Sequence, residues 1–255
     1  MKKYFSRSIE RAIRLLNTLS ETNTPLNLTE ISKMSGLNKS TVFRILSDLQ
    51  NELFISKNDS TNKYFLGVGL LSLGRAVREN DELRNIALPY MKELNKESEE
   101  SIELCVSVDT YRIPIEKVES PFVIRHTIDL GKRVPLYCGA GSKAILSFSK
   151  REKINEVIYK NKLTAITPGT IIDTDLLEKE IETIRKQKFA ISQGEFVLNS
   201  ASIAVPILNF DNTAIGCLSI NMPHFRFSKK MLTKFAPILI EIGKKISKEL
   251  GYKNN

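Results

Sequence analysis

The sequence predicts a two-domain α+β protein: a small N-terminal winged helix-turn-helix domain, a linking helix, and a larger domain with an antiparallel sheet flanked by helices. Three observations carry this prediction. Three short helical periods followed by a polar-tipped hairpin occupy the first 66 residues. Positive charge is densest in that part of the chain, with 12 basic against 7 acidic residues up to Asn80 and 26 against 22 in the remaining 175. Beyond residue 82, strand-like and helix-like segments mix without regular βαβ alternation. The predicted boundaries are 1–66, 67–82 and 83–255.

The first helical period starts at Ser8, a candidate N-cap, and sets Ile9, Ala12, Ile13, Leu16 and Leu19 at helix spacing. Asn23-Thr24-Pro25 breaks it. A second, short helix spans about Thr29 to Ser35, burying Ile31 and Met34 and stopping at Gly36. Asn38 caps a third, whose Val42, Ile45, Leu46 and Leu49 form one apolar stripe. Lys39, Ser40, Thr41, Phe43, Arg44 and Ser47 belong to the side expected to enter a DNA major groove. A solvated face is the commoner fate of such residues, but an aromatic among cations opposite a buried stripe is costly to leave without a partner. Residues Ser56 to Leu66 read as a hairpin around Asn58 to Asn62, the wing, with Lys57 and Lys63 placed to meet phosphates.

Leu70, Leu71, Leu73, Ala76 and Val77 predict the linking helix, and Leu83 to Lys96 a further helix that Pro89 should kink or start. Ser101 to Val108 and Ile113 to Val118 read as an antiparallel strand pair, with Phe122 to Ile128 as another strand. The glycine-rich run Cys138 to Ser142 leads into a helix over Lys143 to Ser149. Free backbone N–H groups at such a junction suit a carboxylate or phosphate, and close packing of small residues explains it equally well. Thr174 to Lys188 and Lys229 to Leu250 read as helices, Ala201 to Leu208 and Ala214 to Asn221 as strands.

The net charge of +9 suits an anionic partner. No run of about 18 apolar residues occurs, so the expectation is a cytoplasmic protein with no membrane partner. Three scattered cysteines argue against a disulfide framework or a paired-cysteine zinc site. His126 and His224 are the only histidines, and HExxH and GxSxG are absent, so no metalloenzyme or α/β-hydrolase is signalled. Ser147 to Lys150 matches SxxK without its companion motifs, and Gly139 to Lys143 is not a Walker A loop. No enzyme, cofactor or metal is expected. A redox regulator using Cys138, its thiol acidified by the helix N-terminus, is the alternative. An RNA-binding protein would leave the large apolar domain without a role.

The stretches SIERAIRLLNTLSE, LTEISKMSGLNKSTVFRILSDL, KYFLGVGLLSLG, GKRVPLYCGAGSKAILSF and ASIAVPILNFDNTAIGCLSIN, in this order and spacing, resemble the isocitrate lyase regulator (IclR) family along essentially the whole chain. The resemblance implies a transcription regulator of a catabolic operon, a repressor that an effector releases from double-stranded operator DNA. It further implies a homodimer or tetramer and a GAF-like domain, at 83–255, that binds a small organic acid and oligomerises. Carried over, the effector site would use Cys138, Gly139, Ala140, Ser192, Ser202, Ser219 and Asn221. In relatives that sense keto acids the first of the two serines at 192 and 202 is acidic and the second can be cysteine. The family's usual glycine before the aromatic is Lys188 here, ahead of Phe189.

Overall fold

The computed structural model describes residues 6–22 and 24–252; Asn23, in the predicted break, lies outside them. The chain divides into two compact units between Asn80 and Asp81.

The first unit holds α1 (Arg7–Ser20), α2 (Leu28–Ser35), α3 (Lys39–Asn51), a hairpin of β1 (Ile55–Asn58) and β2 (Lys63–Leu66), and α4 (Gly69–Glu79). Leu15, Leu19, Ile31, Val42, Ile45, Leu46, Ile55 and Tyr64 form its core. α1 begins one turn-half earlier than expected, with Ser6 at the N-cap position in place of Ser8. It also turns a different arc inward: Leu15, Thr18 and Leu19 are buried, whereas Ile9 and Ile13 are exposed. Two apolar arcs overlap on this helix, and only the positions of α2 and α3 choose between them. Met34, expected inside, is exposed as well. α2 is closed by a reciprocal cap between Asn27 and Glu30 and ends at Gly36, whose φ of +70° suits a residue without Cβ. The Asn38 carboxamide accepts the Thr41 N–H at 2.9 Å and so starts α3 as expected.

The second unit begins with α5 (Glu82–Ser98), which runs through Pro89 and does not start there; Asp81 caps it. Next come β3 (Ser101–Val108), β4 (Tyr111–Val118), β5 (Val134–Pro135), α6 (Ala140–Ser147) and α7 (Arg151–Asn155), the last followed by a π-helical turn. α8 (Thr174–Gln187), β6 (Ala190–Gln193), β7 (Ser200–Leu208), β8 (Ala214–Pro223) and α9 (Lys229–Glu249) complete it. The six strands form one antiparallel sheet in the order β5-β4-β3-β8-β7-β6. Strand side chains alternate faces. Ile102, Leu104, Ile203, Val205, Leu218 and Ile220 point to the face covered by α5 and α9, with Met91, Phe235 and Leu239. The opposite face meets α6 to α8 through Cys105, Cys217, Ile145, Ile154 and Leu177. Lys188 sits at the end of α8 with φ +68°, the left-handed region that favours glycine.

Phe122 to Ile128 is not a strand. Side chains satisfy its carbonyls: Ser101 Oγ donates to the His126 oxygen at 2.8 Å and Arg226 Nη1 to the Ile124 oxygen at 2.9 Å. With those acceptors taken, the segment loops away from the sheet, and Val123 is almost fully exposed.

Candidate DNA-reading face and ligand cavity

On α3 the residues opposite the buried stripe stand as the helical period requires. Lys39, Ser40, Phe43 and Arg44 are exposed, while Thr41 and Ser47 are half-buried. Among the described residues neither Lys39 nor Arg44 has an acidic partner. On the wing, Lys57 and Lys63 are half-buried and Lys57 Nζ lies 5.8 Å from the Tyr64 ring centre. The Asn58 carboxamide accepts the N–H groups of Ser60 and Thr61 at 3.0 Å and shapes the tip.

In the second unit the glycine-rich junction is filled from within. Gly139, at φ +87°, precedes α6, and its N–H donates to Glu195 Oε2 at 3.0 Å. Lys143, in the first turn and almost wholly buried, donates to Glu195 Oε1 at 2.6 Å and to Glu180 Oε1 at 2.9 Å. The Glu195 backbone carbonyl accepts from Thr167, Thr170 and the Cys138 thiol. Cys138 therefore faces a carbonyl and a carboxylate. Burial first, then the Glu195 charge, push its thiol up to about 11. A redox role favours an acidified thiol, and here the expected positive helix end meets an internal anion instead, so the surroundings of Cys138 speak against the redox alternative.

A cavity of about 380 Å³ opens beside this junction. Its floor is Arg112 and Glu103 on β4 and β3, both buried and paired at 2.8 Å. Arg112 also donates from Nε to Ser142 Oγ at 3.1 Å. Burial pushes the Glu103 carboxyl up, but the charge and hydrogen bond of Arg112 outweigh that and hold it below the usual range. The walls come from two loops, one carrying Ile124, Arg125, His126 and Lys132, the other Phe196 and Leu198. Burial lowers the His126 imidazole below its ordinary value, which favours the neutral ring.

None of the effector residues carried over by resemblance lines this cavity. Cys138, Gly139 and Ala140 lie buried at the α6 junction. Ser192, Ser202 and Asn221 do converge, directly opposite one another across β6, β7 and β8. Ser219 stands next to them, donating to Glu103 Oε2 at 3.2 Å and accepting from Asn221 at 2.9 Å. They form a polar layer that ends on the cavity floor. Sequence reasoning missed Glu103, Arg112, Arg125, Lys132 and Glu195. The one available signal was Glu103 itself, a charge in the alternating strand Ser101 to Val108, where a polar face reads as solvent-facing whether it meets water or lines a pocket.

Two family descriptions match the chain: "IclR helix-turn-helix domain" over residues 8–59 and "Bacterial transcriptional regulator IclR C-terminal" over 75–248. The HTH-type transcriptional regulator KipR of Bacillus subtilis (strain 168) is 31% identical over 247 residues, covering 97% of this chain and 98% of KipR. The crystal structure of an IclR-type transcriptional regulator from Alicyclobacillus acidocaldarius superposes with a TM-score of 0.88 at 26% identity, over 97% of this chain and all of the other. An IclR homologue from Microbacterium hydrocarbonoxydans, solved in complex with 4-hydroxybenzoate, shares the fold with a TM-score of 0.80 at 22% identity, over 96% and 99% of the two chains. With Lys39 and Arg44 exposed on α3 in one unit and a cavity over a buried ion pair in the other, the chain belongs to the IclR family of DNA-binding bacterial transcriptional regulators.

Proposed function

We propose that this regulator represses a catabolic operon in the cytoplasm and leaves its operator when a small organic acid enters the cavity of the second unit. The observation that carries the reading is that cavity: Ile124, Ile128, Val134, Phe196 and Leu198 over a buried Arg112–Glu103 pair, with Arg125, Asp129 and Lys132 at its side. A concave site that combines apolar contact with convergent polar groups is what a small ligand needs. The complex of a related fold with 4-hydroxybenzoate supports an aromatic or aliphatic carboxylic acid. Because the buried Glu195 already occupies the Gly139 N–H, we assign the acid's charge to Arg125 and Lys132, whose pairs with Glu119 at 3.0 Å and Asp129 at 3.1 Å are solvent-exposed and so cheap to exchange for a ligand carboxylate. Ser192, Ser202, Ser219 and Asn221 form a polar layer that reaches Glu103 through Ser219, and Cys138 to Ala140 pack at the buried start of α6 beside it. The chemistry is binding, not turnover.

We read the DNA-bound form as a homodimer, able to pair into a tetramer. Val68, Leu71, Leu73 and Val77 on and before α4, and Ile9 and Ile13 on α1, are all more than half exposed. Exposed apolar side chains along both helices favour a second copy, and a dimer places two reading helices on a two-fold operator.

The test is DNA binding by the full-length protein, measured by fluorescence anisotropy on duplexes from upstream of its own gene, with benzoate, 4-hydroxybenzoate and short keto acids as probes. One acid should weaken operator binding at least tenfold. At 100 times its dissociation constant it should add about 2.7 kcal/mol to stability. Arg125→Ala should lose that response and keep operator binding without acid. A response unchanged in both Arg125→Ala and Lys132→Ala would place the effector elsewhere.

A further inference from the structure

We propose that Phe43 is a base-reading residue that selects thymine in each operator half-site through the C5 methyl group. This rests on the placement of α3 in the major groove and goes beyond it by naming the base feature read.

Phe43 is 55% exposed and takes no part in the core of its unit. The apolar demand of α3 is already met by Val42, Ile45 and Leu46, with Leu49 at the edge. One helical turn before Phe43 stands Lys39, and Arg44 follows it; both are exposed and without an acidic partner among the described residues. That cationic frame favours a polyanion over an apolar protein surface as the partner of the ring.

The neighbouring hydroxyls are engaged within the helix. Ser40 Oγ donates to the Asn38 carboxamide at 3.1 Å and Ser47 Oγ donates to the Phe43 carbonyl at 2.9 Å. Each retains lone pairs but has its proton committed. Among Ser40, Phe43, Arg44 and Ser47, discrimination therefore falls to Arg44, a donor, and Phe43, an apolar ring. In the major groove the apolar feature that distinguishes base pairs is the thymine methyl, while guanine O6 and N7 are the acceptors suited to arginine.

The experiment uses the full-length protein and a duplex that it selects from a random-sequence library. Each thymine of the selected half-site is replaced in turn by uracil, which removes the methyl and leaves the pairing edge intact. With wild-type protein, one position per half-site should lose about fourfold in affinity, the factor for returning one carbon's worth of apolar surface to water, and roughly sixteenfold when both half-sites carry uracil. In Phe43→Ala the thymine-to-uracil ratio at that position should fall to about one. Lys39→Ala should weaken both probes equally and leave the ratio unchanged.

Wild-type binding that ignores every uracil substitution overturns the proposal, and needs no variant to show it. So does an undiminished thymine preference in Phe43→Ala. A Phe43→Ala protein that becomes monomeric in sedimentation while keeping that preference also overturns it, by assigning the ring to a second copy of the chain. In each case sequence-specific binding to the selected duplex would persist, so the reading of the protein as a DNA-binding regulator stands apart from this outcome.

Discussion

Glu195 supplies the anion at the N-terminus of α6: its Oε2 accepts the Gly139 N–H at 3.0 Å while its Oε1 binds Lys143 at 2.6 Å. A carboxylate at a helix N-terminus is favourable, and here it belongs to the chain. Glu195→Gln keeps an acceptor for Gly139 and removes only the charge, leaving Lys143 with the half-exposed Glu180. Breaking a buried pair from one side costs about 3–5 kcal/mol, and the surviving Glu180 contact should bring the loss toward the lower end. Urea denaturation measures it. Replacing Lys143 by Met in the same chain should recover part of the loss, and a further drop would show that the charge of Lys143 is needed for its own sake.

Cys138 should be inert near neutral pH. Its proton is held up to about 11 in the native protein against an ordinary value of 9.0, by burial and then by Glu195. An aromatic disulfide reagent at pH 7.5 should label it only at the rate of unfolding. The unfolded chain releases this proton first, so stability attributable to Cys138 is present below pH 9 and falls by about 2–3 kcal/mol as pH rises toward 11. Cys138→Ala should flatten that alkaline decline.

Acid should weaken the cavity floor. Glu103 is held below its ordinary 4.5 because Arg112 outweighs burial. The unfolded state therefore takes up the proton first as pH falls. Stability from this group is complete above about pH 4.5 and is lost as pH drops through the native value. Ser219→Ala removes one hydrogen bond to Glu103 Oε2 and should move the acid transition to higher pH, with operator binding at pH 7 unchanged. Denaturation curves between pH 3 and 6 test the sign; a transition moving to lower pH would contradict it.

On α3, Arg44→Ala and Lys39→Ala should keep fold and oligomeric state, since both side chains are exposed and outside the core. Arg44 bidentate to guanine should cost about 1–3 kcal/mol per half-site when removed, and relax specificity at that base pair. Lys39 at the helix start should contact phosphate. Its loss should weaken all sequences alike and reduce the salt slope by about 0.9 per protomer. Unchanged operator affinity in both variants would displace the reading helix from the groove.

The sequence by itself determined the order and kind of nearly every element, the side of α3 that stays exposed, and the family. These are local or additive properties: Asn38 caps its own helix, the stripe of Val42, Ile45 and Leu46 follows from 3.6-residue periodicity, and Ser101 to Val108 alternates with period two. Tertiary structure decided what depends on which groups meet. Ile9 and Leu15 both lie on apolar arcs of α1, and packing against α2 and α3 alone buried Leu15. Phe122 to Ile128 has strand composition, yet Ser101 and Arg226 capture its carbonyls. The open helix end expected at Gly139 is occupied by a carboxylate 56 residues later. Arg112 and Glu103, nine residues apart, become a cavity floor because the β3–β4 hairpin turns them to the same face. Electrostatic partners chosen over such distances leave no period in the sequence, because an ion pair is set by separation in space and burial, not by spacing along the chain.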